Sequence, residues 1–143
     1  MFNRILIACD DSKEAERALD AGVKLAAQLH AKAMLLSVLE PLPGYVHMAC
    51  AVVPHLPNTM RDERRLKLEG VQAHAKQHAA QHGLDIETLL VEGDEIPCIL
   101  EMTRKTQADL LVLGLHRHVP GLEWSGTMRC IANETPCPIL AVC

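Results

Sequence analysis

Short apolar runs of strand length recur along the chain and are separated by longer segments in which apolar residues follow a helical period. The strands predicted from these runs are residues 2–9, 32–39, 84–91, 110–113 and 137–142. Helices are predicted over residues 12–30 and 59–82, from about residue 96 to residue 103, and over 127–134. Because nearly continuous apolar strands alternate with helices, the pattern predicts a parallel sheet covered by helices on both faces.

Helix boundaries are marked by residues that cap helix ends. The first helix follows Asp10-Asp11-Ser12, so Asp11 or Ser12 is its expected N-cap, and Asp11 with Glu14 has the spacing of a capping box. Gly83 is the expected C-terminal stop of the second helix. A turn at Gly93-Asp94 leads into the third helix, with Pro97 in its first turn.

Residues 40–58 interrupt this alternation. The segment contains Pro41, Pro43, Pro54 and Pro57, a density that predicts a long loop without a regular element. Its apolar side chains are unusual for a solvated loop and suit either a lid over a ligand site or a docking patch; they are Tyr45, Val46, Met48, Val52, Val53 and Leu56.

Length and composition restrict the function classes. The 143 residues predict one domain, residues 1–143, with a core of aliphatic side chains, because only one Phe, one Tyr and one Trp occur. The net charge of −4 and the few aromatic residues argue against a nucleic-acid or membrane partner. The sequence shows no targeting segment or membrane span, which predicts a cytoplasmic protein whose six cysteines are reduced.

The last third of the chain has the plan of an anion cradle. A buried strand ends at Gly114, a polar loop follows, and Gly126-Thr127 opens a helix whose free N–H groups favour negative charge. In a parallel sheet, ligands bind at the carboxyl ends of the strands. The residues expected at that edge are Cys9-Asp10, Leu39-Glu40, Gly93 and Gly114.

Four stretches together resemble the universal stress proteins. They are residues 5–12 with the following Glu14-Ala15, residues 36–41, Gly93-Asp94 before Ile99, and residues 108–114 followed by Gly126-Thr127 and residues 135–142. They occur in the family's order and spacing over the whole chain. The resemblance implies an α/β fold, Rossmann-like and of the adenine nucleotide alpha-hydrolase type, with a five-stranded parallel sheet of order 3-2-1-4-5. It also implies a homodimer in which the last strands pair.

In nucleotide-binding members of this family, ATP or AMP lies at the carboxyl ends of strands 1 and 4. By this resemblance Asp10 and Val38 would hold the nucleoside, and Mg²⁺ would accompany ATP. The other nucleotide-binding residues would be Leu113, Gly114, Arg117, Gly126, Thr127 and Met128.

The phosphate signature of the family, G-x-x-G-x9-G-[S/T], is altered in this chain. Gly114, Gly126 and Thr127 match it, but Arg117 replaces the second glycine and eight residues, not nine, separate it from Gly126. If that position required a left-handed backbone, arginine would cost about 1–2 kcal/mol. Two outcomes stay open: His116, Arg117 and His118 replace backbone donors at the phosphates, or the pocket is closed.

Other candidate sites have simpler explanations. His74, His78 and His82 lie four residues apart, a spacing that can chelate a metal, but a solvated helix flank explains them without one. Cys9 lies beside Asp10, whose charge would raise the thiol pKa and disfavour a reactive thiolate.

The sequence contains no nucleophile elbow and no Walker A lysine, so no catalytic residue is assigned. The predicted function is that of a nucleotide-binding stress-response regulator. The alternatives are a nucleotide-free dimeric interaction protein with an unknown protein partner, and a slow ATPase.

Overall fold

The computed structural model describes residues 1–115 and 126–143. Strands and helices alternate along the chain, and a 3₁₀ turn follows the second helix. In chain order the elements are β1 (Arg4–Ala8), α1 (Lys13–Leu29), β2 (Lys32–Leu39), α2 (Gly44–Met48), the 3₁₀ turn (Ala49–Ala51), α3 (Leu56–Gln81), β3 (Glu87–Glu92), α4 (Glu95–Lys105), β4 (Leu110–Gly114), α5 (Gly126–Glu134) and β5 (Ile139–Val142).

The strands form one parallel sheet in the order β3-β2-β1-β4-β5, which confirms the predicted order 3-2-1-4-5. β1 lies at the centre, between β2 and β4. The chain therefore reverses its winding direction beside β1, which is where parallel sheets open a crevice at the carboxyl ends of their strands.

Helices cover both faces of the sheet, as the alternating pattern predicted. On one face, α1 and α3 bury Leu19, Val23, Ala75 and Ala79 against β1 side chains such as Ile7. On the other face, α4 and α5 bury Leu100 and Ile131, among others, in a second core. Among the described residues, no helix is long and apolar enough to cross a membrane.

The first helix begins with a single capping side chain. Ser12 is the N-cap, and its Oγ accepts a hydrogen bond from the Ala15 amide at 3.1 Å. Of the two expected caps Ser12 is therefore the residue used, and the capping box expected from Asp11 and Glu14 is wrong. Asp10 supports the same turn, because its Oδ1 accepts a hydrogen bond from the Ser12 amide at 2.9 Å.

The prediction that residues 40–58 contain no regular element is wrong. The segment holds α2, the 3₁₀ turn and the start of α3. The prolines permit these elements because of where they fall: Pro43 is the N-cap of α2, and Pro57 lies in the first turn of α3, where its missing N–H would have no helical partner. Val46 of α2 is 2% exposed, so this short helix is anchored to the body of the protein.

Three strands start later than predicted, and β1 begins at Arg4 instead of residue 2. The segment expected as a strand from residue 84 becomes one only at Glu87, because the Leu84 amide bonds back to the Ala79 carbonyl at the end of α3. The last strand starts at Ile139 instead of residue 137. Pro136 and Pro138, which lack amide protons, flank Cys137 and account for the later start.

Candidate functional site

The carboxyl ends of β1, β2 and β4 surround a cavity of about 270 Å³, here termed the crevice. The turn before α1 and the first turns of α4 and α5 complete its walls. The crevice is lined by Ala8, Cys9, Asp10, Ser12, Ala15, Leu36, Val38, Glu40, Glu95, Ile99, Leu113, Gly114, Leu115, Thr127, Met128 and Ile131.

Most of the residues that sequence reasoning selected for a ligand meet in this crevice. Six of the eight line it, and they come from four separate stretches of the chain: Asp10, Val38, Leu113, Gly114, Thr127 and Met128. Gly126 begins α5 next to Thr127 but does not line the crevice. Arg117, with its neighbours His116 and His118, lies outside the described residues.

Asp10 stands at the end of β1 with its side chain exposed. One carboxylate oxygen, Oδ1, accepts the hydrogen bond from the Ser12 amide, so the side chain is oriented by the turn that leads into α1. A carboxylate fixed in this way can still accept hydrogen bonds from a ligand through its remaining lone pairs. Asp10 therefore stabilises the turn before α1 and also lines the crevice.

The end of β4 packs directly on the first turn of α1. A Cβ atom at Gly114 would lie 2.6 Å from the carbonyl carbon of Glu14 and 2.7 Å from the amide nitrogen of Ala15. Both contacts are with backbone atoms, which cannot move aside as a flexible side chain can. The packing of β4 against α1 thus requires glycine at position 114, whether or not a ligand is bound.

Cys9 lines the crevice, and its side chain is buried. Its Sγ lies 3.4 Å from the carbonyl oxygen of Asp10 and 3.6 Å from that of Ala15. Burial, followed by the charges of Asp10 and Glu16, raises the pKa of the Cys9 thiol to about 12. The expected direction from Asp10 is confirmed, although burial is the larger cause, and Cys9 is a neutral packing residue at physiological pH.

A buried hydroxyl fixes the strand ends beneath the crevice. Ser37 in β2 is fully buried, and its Oγ donates to the Cys9 carbonyl oxygen at 3.0 Å. The Cys9 amide in turn donates to the Leu36 carbonyl oxygen at 2.9 Å. These two hydrogen bonds join β2 to the end of β1, next to Asp10 and Val38.

Several lining residues were not selected as ligand residues from the sequence. Glu95 is the first residue of α4, and its place after the Gly93-Asp94 turn was the available signal. Ile99 and Ile131 line the crevice from the apolar faces of α4 and α5, so their helical spacing indicated burial but not this cavity. Glu40 was expected at the strand edge, and with Asp10 and Glu95 it is one of three carboxylates that line the crevice.

Comparison with known proteins identifies the family. The model of the universal stress protein family matches residues 1–142. The chain belongs to this family. Universal stress protein YxiE of Bacillus subtilis is 30% identical over an alignment of 154 positions, which covers 99% of both proteins. The resemblance inferred from the four stretches is thereby confirmed.

Solved universal stress proteins share the fold over nearly the whole chain. UspA from Lactobacillus plantarum superposes with a TM-score of 0.84 at 18% identity and covers 99% of this chain and 98% of that chain. A universal stress protein in complex with cAMP gives a TM-score of 0.74 at 22% identity, with 99% and 97% coverage. An Arabidopsis thaliana family member with AMP bound gives a TM-score of 0.68 at 16% identity, with 98% and 90% coverage.

Proposed function

We propose that the crevice binds an adenine nucleotide and that its occupancy is the signal that this protein carries in a stress response. The observation that supports this proposal most strongly is the convergence of Asp10, Val38, Leu113, Gly114, Thr127 and Met128 on one cavity. They come from four stretches that are spread over more than a hundred positions of the sequence.

Relatives of the same fold support the chemical class of the ligand. Solved structures in this family hold cAMP, AMP and, in a protein from Archaeoglobus fulgidus, dAMP. All three ligands contain adenine, a ribose or deoxyribose and a single phosphate. The three ligands thus share an adenine nucleoside with one phosphate, and this is the group that we expect the crevice to bind.

The crevice offers suitable surfaces for each part of such a ligand. Val38, Leu113 and Met128 supply apolar walls for the base, and Asp10 supplies a carboxylate oxygen for ribose hydroxyls or the adenine amino group. The start of α5, with the Thr127 hydroxyl, is the proposed place for phosphate, because the positive end of the helix dipole favours an anion there. AMP, or ATP with Mg²⁺, is the proposed ligand.

We assign no catalytic residue and infer a regulator that binds nucleotide without turnover, in the cytoplasm. A homodimer through the last strand is part of the proposal, since β5 pairs with β4 on one side only within the described chain. Leu140 on β5 is also 37% exposed, which leaves apolar surface at that edge.

Calorimetric titration of nucleotide-free protein with AMP, and with ATP in the presence and absence of Mg²⁺, tests the binding proposal. Asp10→Asn keeps an acceptor for the Ser12 amide but removes the charge, and we expect it to weaken binding by about tenfold or more. The matched control is Asp11→Asn, because Asp11 is an adjacent exposed carboxylate that does not line the crevice. Equal affinities of the parent and Asp10→Asn would refute the role of Asp10.

A nucleotide-free interaction protein is the second candidate, and one observation favours it. Tyr45, Met48, Val52 and Val53 are large apolar side chains on and after α2, and they are 72%, 79%, 84% and 47% exposed. Limited proteolysis distinguishes the two functions of this segment. A lid over bound nucleotide should be protected by AMP or ATP, whereas a docking patch for a protein partner should be cut equally with and without nucleotide.

A further inference from the structure

We propose that the end of α3 carries a transition-metal site whose two protein ligands are the imidazoles of His78 and His82. The site lies on the helical face that contacts α1, away from the crevice, and it is independent of nucleotide binding. Asp20 of α1 accepts a hydrogen bond from the ring nitrogen of His78 that would not bind the metal.

The two imidazoles lie close together on successive turns. The ring centroids of His78 and His82 are 4.9 Å apart, with an interplanar angle of 60°. Two imidazoles that bind one ion through nitrogen at about 2.1 Å, on neighbouring coordination positions, place their ring centres roughly 5 Å apart. The observed separation therefore matches that of a cis pair of imidazole ligands.

Each ring already makes the hydrogen bond that a metal-bound histidine makes on its outer side. Nε2 of His78 lies 3.1 Å from Oδ1 of Asp20, and Nδ1 of His82 lies 3.0 Å from the carbonyl oxygen of His78. A carboxylate and a carbonyl can only accept, so both of these ring nitrogens are donors. In the neutral rings the lone pairs are then on Nδ1 of His78 and Nε2 of His82, and these atoms are available to an ion.

Asp20 is well suited to hold His78 in this state. Its second oxygen, Oδ2, accepts from Nζ of Lys24 at 2.8 Å. The Lys24 ammonium thus holds one oxygen of the Asp20 carboxylate while the other faces His78. A carboxylate behind a ligating histidine is the usual way in which proteins orient the ring and increase its basicity.

The donor set determines the class of metal. Within residues 1–115 and 126–143, no group of three or more His, Cys, Asp or Glu side chains is placed to hold an ion, so water would complete the coordination. Two imidazoles favour Ni²⁺, Cu²⁺ or Zn²⁺ over Mg²⁺ or Ca²⁺, which prefer oxygen ligands. His74, one turn earlier with its ring centroid 6.3 Å from that of His78, is not required.

The test is calorimetric titration of the chelator-treated, full-length protein with Ni²⁺ in a non-chelating buffer. We expect one saturable site per chain, with an affinity at least tenfold lower in His78→Gln and in His82→Gln. Asp20→Ala, which removes the acceptor for Nε2 of His78, should lower the affinity by about 10- to 100-fold, which a histidine pair without this outer hydrogen bond would not show. His47→Gln is the matched control, since His47 is an exposed histidine on another helix, and it should bind as the parent does.

A measurement on the parent protein keeps the test independent of how the variants fold. In histidine-selective NMR spectra, substoichiometric Ni²⁺ should shift or broaden the imidazole signals of His78 and His82 before those of His47 and His55. The absence of a saturable site in the parent, unchanged affinity in all three variants, or first effects on the other histidines would each overturn the proposal.

Discussion

Gly114 and Glu14 are in closer contact than any side chain at position 114 would allow. The Cβ position of Gly114 falls 2.6 Å from the carbonyl carbon of Glu14 and 2.8 Å from its carbonyl oxygen. This contact joins the end of β4 to the first turn of α1, and both elements border the crevice. The shape of the crevice therefore depends on a glycine whose role is packing.

Gly114→Ala is expected to lower the free energy of unfolding by about 1–3 kcal/mol, because the new methyl group would have to displace helix backbone. Urea denaturation measures this change. Gly126→Ala is the matched control from the same sequence signature: within residues 1–115 and 126–143, no atom outside its own helix backbone lies within 4 Å of its Cβ position, and its effect should stay within about 0.5 kcal/mol. Equal stability of the two variants would contradict the packing role.

The N-cap of α1 gives a second prediction. Ser12→Ala removes the hydrogen bond to the Ala15 amide and should cost about 1 kcal/mol in the free energy of unfolding, again by urea denaturation. Asp11→Ala should cost much less, because Asp11 does not cap the helix. A larger loss from Asp11→Ala than from Ser12→Ala would restore the capping box that the sequence suggested.

Two glycines of α3 and its end should respond in opposite directions to alanine. Gly70 lies inside α3, and in the described part of the chain no atom beyond its own helix backbone lies within 4 Å of its Cβ position, so Gly70→Ala should stabilise the protein by about 1 kcal/mol. Gly83 follows the helix with φ of +73°, and Gly83→Ala should destabilise it by about 1–2 kcal/mol. Thermal unfolding followed by circular dichroism would compare both variants with the parent.

The buried thiol of Cys9 predicts a loss of stability at alkaline pH. Its pKa is about 12 in the folded chain against 9.0 in the unfolded chain, so between these values the unfolded state releases a proton that the folded state retains. The stabilisation is fully present below pH 9 and is lost at up to about 1.4 kcal/mol per pH unit as the pH rises towards 12. Urea denaturation at several pH values should show a shallower loss in Cys9→Ala.

Thiol labelling provides an independent check on the same residue. At pH 8 a maleimide should modify the exposed Cys130 and Cys143 in the native protein while Cys9 stays unmodified until denaturant is added. Mass spectrometry of the digested protein locates the label. Rapid labelling of Cys9 in the native state would contradict its assignment as a buried, neutral residue.

The strand and helix alternation was predictable because each strand is a nearly unbroken apolar run and the long helices carry regular apolar spacing. Predictions from residue type alone were wrong where the exact position of a residue or a tertiary contact determined the local structure. The high density of prolines in residues 40–58 predicted a loop. Pro43 and Pro57, however, lie at the starts of α2 and α3, where proline is compatible with a helix. Ser12 and Asp11 are equivalent caps by residue type, and only the backbone geometry selects Ser12.

The site residues at the carboxyl ends of strands were predictable, because parallel strands bring these ends to the same edge of the sheet. Asp10, Val38 and Gly114 meet there for that reason. The sequence could not distinguish a glycine required by packing from one required by a ligand, since Gly114 and Gly126 belong to the same signature. The sequence also could not show that Asp20 lies beside His78, because these two residues are 58 positions apart and belong to different helices.

The most direct test of the central claim is to denature the freshly purified protein, to which no nucleotide has been added, and to identify the released small molecules by chromatography and mass spectrometry. Nucleotide-free protein from the same preparation is then titrated with AMP and ATP. We expect an adenine nucleotide to be released, or micromolar binding at about −8 kcal/mol. A protein that releases no nucleotide and binds neither AMP nor ATP would contradict the account.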